Sequence, residues 1–143
     1  MKRLNPYLFF NGNCEDAFNF YRVVFGKDFK YFGRYKDVPE KDKIIFHESD
    51  DKIMHVSLPI SAETILMGCD ITEIYKEPIS SNNFSLYINT DSREEADRLF
   101  NELSTGGKIE MPMNHTFWGS YYGILTDKFG INWKITFNSN TEE

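Results

Sequence analysis

The chain has 143 residues, 41% of them hydrophobic and 16% aromatic, with a formal net charge of -6 and a pI near 5.1. This length and apolar content can bury about two-thirds of the unfolded surface, enough for an independent core, and the acidic balance, with Lys and Arg scattered among acids, excludes a nucleic-acid partner. No apolar run approaches the roughly 20 residues of a membrane span, and Met1-Lys2-Arg3-Leu4-Asn5-Pro6 leads into no hydrophobic signal core, so we expect a cytoplasmic protein without a membrane partner.

Residues 4–10 read as an extended run in which Tyr7 and Phe9 alternate with Leu8 and Phe10. Bulky residues on both faces suit a strand with a helix on one side and an interior on the other. Ala17, Phe20, Tyr21 and Val24 follow at i, i+3, i+4, i+7, one face of an α-helix. Asn13, three residues before Asp16, is placed to cap its start, and Gly26 to end it in the left-handed conformation. Strands are then expected over residues 29–35, 44–48, 53–58 and 64–69, with a charged loop at 37–41 between the first two. Residues 71–82 are polar, contain Pro78 and lack clear periodicity, which marks a linker.

The pattern then repeats. Ala96, Leu99, Phe100 and Leu103 reproduce the first helical face at a constant offset of 79 positions, after an extended run at 84–89. Ser92, three before Glu95, repeats the start signal, and Gly106-Gly107 repeats the left-handed stop. Strands are expected at 108–111, 121–126 and 131–137, with a turn from Met111 through Thr116. The fold class is therefore α+β, one domain made of two tandem βαβββ modules, residues 4–70 and 83–137. The curled mixed sheets would surround a cavity, with the helices outside.

Side-chain chemistry narrows the functions. Cys14 and Cys69 have no CxxC spacing and are expected as small buried thiols. His47, beside Glu48, begins no HExxH helix because Asp51 stands where the second His would be, and reads as a solvated residue. Alternation puts Met54, Val56 and Leu58 on one strand face and Ile53, His55 and Ser57 on the other, where His55 suits either a structural hydrogen bond or a cavity. His115, just before Phe117-Trp118-Gly119, suits a lid or a turn capped by two rings. The first strand-to-helix turn, Asn11-Gly12-Asn13, has one glycine, and GxGxG, GxSxG and Walker loops are absent from the sequence. That argues against a methyltransferase using S-adenosylmethionine and against nucleophilic catalysis.

Several strings together carry a family resemblance: Asn5-Pro6-Tyr7-Leu8-Phe9-Phe10, Gly12-Asn13-Cys14-Glu15-Asp16-Ala17-Phe18, Ile53-Met54-His55, Leu66-Met67, Asn82-Asn83-Phe84-Ser85-Leu86, Phe117-Trp118-Gly119 and Thr126-Asp127-Lys128-Phe129-Gly130. The chain resembles the PhnB-like branch of the glyoxalase, bleomycin-resistance and extradiol-dioxygenase group, the vicinal oxygen chelate superfamily. The resemblance implies paired βαβββ modules within a homodimer, and metal-dependent chemistry or drug sequestration as the activity. It also implies metal ligands on the first and last strands of each module, at Pro6, Met67, Ser85 and Lys134 here. Those residue types cannot make a hard-metal site. No cofactor is therefore expected, and a divalent metal belongs to the alternative reading, a lyase or dioxygenase with His55 or His115 in an atypical ligand set. The leading expectation is a homodimer that binds a small organic molecule through His55, His115, Phe117, Trp118 and Lys134, with Lys134 meeting an anionic group. A structural dimer with a filled interior is the third possibility.

Overall fold

The computed structural model describes residues 2–39, 50–71 and 83–138. The expected strand at 44–48, His47 and linker residues 72–82 lie outside the described residues. The chain divides into two compact units, Met1–Ile79 and Ser80–Glu143. Each repeats βαβββ among the described residues, as the sequence repeat predicts.

The first unit contains β1 (Tyr7–Phe10), α1 (Cys14–Phe25), β2 (Tyr31–Arg34), a single 3-10 turn (Tyr35–Asp37), β3 (Ile53–Pro59) and β4 (Ile65–Asp70). Its sheet runs β1-β4-β3-β2. β1 lies parallel to β4, with Tyr7 opposite Met67, and the other pairs are antiparallel. α1 buries Cys14, Ala17, Phe18, Tyr21 and Val24. Phe18 therefore takes the central place that the repeat assigned to Phe20, which is only half-buried. The reason lies in the sheet below. The Phe18 ring sits over Gly68, where a Cβ would come within 2.7 Å of it and 2.8 Å of the Leu8 carbonyl oxygen. Phe18 also packs edge-on to Phe10 and Tyr21 at 6.0 and 5.5 Å, a favourable aromatic geometry.

The start of α1 is not capped as the sequence suggests. Asn13 has φ -114° and ψ 23°, outside the extended region a cap needs, and its side chain makes no capping bond. Asp70, at the far end of β4, does this work. Its Oδ1 accepts from Cys14 N at 2.9 Å and its Oδ2 from Ile53 N at 2.8 Å. One buried carboxylate thus ties α1, β3 and β4 together. The helix ends as expected, at Gly26 with φ 63°.

The second unit contains β5 (Leu86–Asn89), α2 (Arg93–Ser104), β6 (Lys108–His115), β7 (Tyr121–Thr126) and β8 (Asn132–Phe137). The sheet order is β5-β8-β7-β6, again with the first strand parallel to the last. Here the predicted helical face is the observed one: Ala96, Leu99, Phe100 and Leu103 are buried, and Ser92 accepts from Glu95 N at 3.1 Å. The C-cap is Thr105 in an extended conformation rather than a glycine, and the left-handed residue is Gly106 beyond it, φ 75°. Asp127, 3% exposed, accepts from the amides of Phe129 and Ile131 and from Trp133 Nε1.

β6 corrects the expected end at Met111. It continues through Pro112 to His115, with register shifts between Ile109 and Met111 and between Met111 and Asn114. An edge strand tolerates proline because its outward N–H has no partner to lose, and bulges absorb the register.

Candidate functional site

Strand alternation gives each sheet one face toward its helix and one away from it. In the second unit Gly123 lies under Phe100 of α2, with a Cβ position 2.8 Å from that ring. Tyr121, Gly123 and Leu125 therefore face α2, while Tyr122 and Ile124 face away. Lys134 pairs with Ile124 on one side and with Tyr87 on the other, so Tyr87, Tyr122, Ile124 and Lys134 share the helix-free face. Cross-strand diagonals on one face span about 7–8 Å, which puts the Lys134 position within reach of Tyr122.

Phe117 and Trp118 form the turn between β6 and β7. Thr116 N donates to Ser120 O at 2.8 Å and Gly119 N to Thr116 O at 3.1 Å, and Gly119 adopts φ 94°. The Trp118 ring packs edge-on to Tyr122 at 5.9 Å and to Phe117 at 5.0 Å. Phe117 is 97% exposed and Trp118 58%. Lys134 is half-buried, and its ammonium makes no ion pair or hydrogen bond with the described residues. The face thus offers a cation beside aromatic rings.

His115 is on the other side. It pairs with Tyr121, whose side chain faces α2, and its ring lies 5.2 Å from the Tyr121 ring. Arg93 stacks over Tyr121 at 4.4 Å and brings Nη1 to 3.4 Å from His115 Nε2. Tyr121 Oη donates to Asp97 Oδ1 at 2.5 Å, and that carboxylate raises the phenol's pKa. His115 is therefore assembled with the start of α2 and not with Lys134.

His55 belongs to the first unit. The pairing of β2 with β3 slips between Gly33 and Arg34, which breaks the expected alternation: Ile53 is buried and Met54 is half-buried. His55 pairs with Gly33 and faces away from α1. Its Nδ1 is 3.0 Å from Tyr7 Oη, and its ring lies between those of Tyr7 and Tyr31, at 5.5 and 5.8 Å. Burial first, and then Cys69, raise the Tyr7 phenol's pKa. Tyr7, Tyr31, Tyr87 and Tyr122 are the residues that sequence reasoning did not assign to a site. Alternation within β1, β2, β5 and β7 was the signal that could have found them.

The positions implied for metal ligands do fall at the first and last strands of each unit. Pro6 accepts from Met67 N at 3.1 Å just before β1, and Ser85, just before β5, bonds the Asn132 side chain. Proline offers no side-chain donor, methionine prefers soft metals, and Lys134 would arrive as a cation. Among the described residues no three His, Cys, Asp or Glu side chains are grouped to hold a metal ion. This donor set does not fit a divalent cation.

Residues 2–136 match the family model described as 3-demethylubiquinone-9 3-methyltransferase. Protein YjdN of Escherichia coli (strain K12) is 32% identical over 139 residues, covering 92% of each chain. Protein PA1353 from Pseudomonas aeruginosa has a crystal structure with TM-score 0.84 and 35% identity, over 96% of this chain and 98% of that one. A putative 3-demethylubiquinone-9 3-methyltransferase, PhnB protein, from Bacillus cereus superposes with TM-score 0.75 at 26% identity, over 95% and 99%. A glyoxalase/bleomycin resistance protein/dioxygenase family enzyme from Burkholderia phytofirmans PsJN shares the fold, with TM-score 0.64 at 16% identity over 93% and 95%.

Proposed function

We infer that this chain, which belongs to the family described as 3-demethylubiquinone-9 3-methyltransferase and is a PhnB-like member of the vicinal oxygen chelate superfamily, binds a small aromatic anion without a resident metal. The observation that carries this reading is the helix-free face of the second unit, where half-buried Lys134 lacks an ion-pair partner among the described residues and shares its face with Tyr87 and Tyr122, the latter in contact with Trp118. An ammonium attracts a carboxylate or phosphonate as a point charge, and the rings supply a surface for a planar group. His55 offers a hydrogen bond in the first unit. A homodimer in the cytoplasm is part of the same proposal. Leu4, Phe84, Tyr87 and Phe117 are exposed, and large apolar and aromatic groups of this kind favour interfaces.

Methyl transfer, which the family's description names, finds little support in these residues. A nucleotide-type cofactor would sit on the amides opening α1, and the first of these, Cys14 N, is already held by the Asp70 carboxylate.

Binding is tested by quenching of Trp118 fluorescence, with 2-naphthoate and its neutral analogue 2-naphthalenemethanol as probes. Trp133, 1% exposed, provides the constant background. Lys134→Ala should weaken naphthoate about tenfold, the effect of one charge-assisted contact, and leave the alcohol unchanged. Equal loss for both, or for neither, would remove Lys134 from the site. Native mass spectrometry tests the alternative of a metal-dependent lyase or dioxygenase: one stoichiometric divalent ion per subunit would favour that reading over ours.

A further inference from the structure

His55 is held more firmly than a half-exposed histidine requires. One ring nitrogen is engaged by Tyr7, and both ring faces lie near tyrosines. Tyr31 reaches His55 by lying over Gly33, where any Cβ would overlap its hydroxyl and come within 2.8 Å of its ring carbons. Tyr7 and Tyr31 hold these positions while remaining 39% and 47% exposed. Preorganisation of this kind lowers the barrier of a reaction that needs one nitrogen at one place.

We propose that His55 is the general base of a metal-independent proton transfer on a planar carbonyl compound, with Tyr7 as its positioning residue. The Nδ1–H donates to Tyr7 Oη, which leaves the Nε2 lone pair directed away from Tyr7. Nε2 takes a proton from the carbon beside the carbonyl. The C–H electron pair becomes a C=C bond, and the carbonyl π pair moves to oxygen. The imidazolium then hands the proton from Nε2 to that oxygen, which yields the enol and restores neutral His55. Nothing is oxidised or reduced and no group leaves. Tyr7, Phe9 and Tyr31, on the same face, bound a slot for the planar part of the molecule.

Among the described residues, the titratable groups around His55 are the Tyr7 and Tyr31 phenols and, through Tyr7, the Cys69 and Cys14 thiols and the Tyr35 phenol. Burial raises the pKa of both Tyr7 and Cys69. Tyr7 therefore stays a neutral phenol able to accept from Nδ1–H while His55 carries charge.

The inference rests on the small-molecule reading, and one experiment separates their failures. Phenylacetone in D2O is followed by 1H NMR for loss of its benzylic protons, alongside the His55 ring resonances. We expect exchange above the buffer rate, reduced about 100-fold or more in His55→Gln, with folding of the variant checked by circular dichroism. Tyr7→Phe removes the hydroxyl that orients the ring, so kcat for exchange should fall about tenfold while KM for phenylacetone stays unchanged. A merely structural role for Tyr7 would produce no such fall in kcat at constant KM. Shifted His55 resonances with exchange at the buffer rate would overturn the catalytic proposal and leave binding standing. Unshifted resonances would also overturn the catalytic proposal, and naphthoate quenching of Trp118 then decides the binding reading on its own. Exchange unchanged in His55→Gln, or an unchanged kcat in Tyr7→Phe, would also overturn the assignment.

Discussion

Removing the Asp70 carboxylate should destabilise the first unit far more than removing the residue that looks like the helix cap. Asp70 is 1% exposed and accepts from two buried amides, Cys14 N at 2.9 Å and Ile53 N at 2.8 Å. Asp70→Ala orphans both. At about 1–3 kcal/mol for each unsatisfied buried group, the loss is about 2–6 kcal/mol, a large part of the roughly 5–15 kcal/mol that stabilises a typical domain. Asp70→Asn keeps one acceptor oxygen and turns an NH2 toward the other amide, so it should lose roughly half as much. Asn13→Ala makes no comparable change, because the Asn13 side chain caps nothing, and should cost less than about 0.5 kcal/mol. Urea denaturation followed by circular dichroism measures all three. An Asn13→Ala loss equal to that of Asp70→Ala would refute the account of how α1 begins.

Alanine at either sheet glycine under a helix should also destabilise, by about 1–3 kcal/mol at Gly123, where the added Cβ meets the side chains of Met113 and Phe100. Gly68→Ala should cost more, because there the obstruction includes the Leu8 carbonyl oxygen as well as Phe18; melting temperatures of the two variants give the comparison. Hydrogen bonding to Arg34 holds the Glu15 carboxyl below its ordinary pKa. The pair's contribution is thus full above the unfolded value of about 4.3 and is lost as pH falls through the lower folded value. With Glu15 43% exposed, that contribution should be below about 1 kcal/mol, and Arg34→Met should flatten this part of an acid-denaturation curve.

Local patterns in the sequence were sufficient to locate both helices and the strands that the model describes. The face of α2 is the predicted one because its four apolar residues meet the sheet without obstruction. The face of α1 rotates to present Phe18 because Gly68, fifty positions later, leaves room for its ring, and no window of local sequence contains both. The Asp70 cap is hidden for the same reason. Proline led the sequence reading to end β6 early, since a pattern cannot tell an edge strand from a central one. Of the five candidate site residues, Phe117, Trp118 and Lys134 fall on or beside one face of the second sheet. His115 turns to Arg93 and Tyr121, because only the pairing with Tyr121 fixes which side of β6 it occupies. His55 was legible as a strand residue facing away from the helix, but its tyrosine neighbours come from two other strands.

The outer strands of the two sheets differ in what they offer to an incoming chain. β6 lacks an N–H at Pro112 and slips register twice, and β2 slips at Gly33. Neither presents a regular row of donors and acceptors, and features of this kind deter uncontrolled strand addition. β1 and β5 carry no such interruption in their registers. Each is the opening strand of its unit and, among the described residues, has its second edge free of a ladder partner within its own sheet. Backbone-mediated self-association, wanted or unwanted, is therefore channelled to the opening strands, and a proline introduced at Phe9 or Asn89, whose N–H groups point away from the ladder partner, would close that route while sparing β2 and β6.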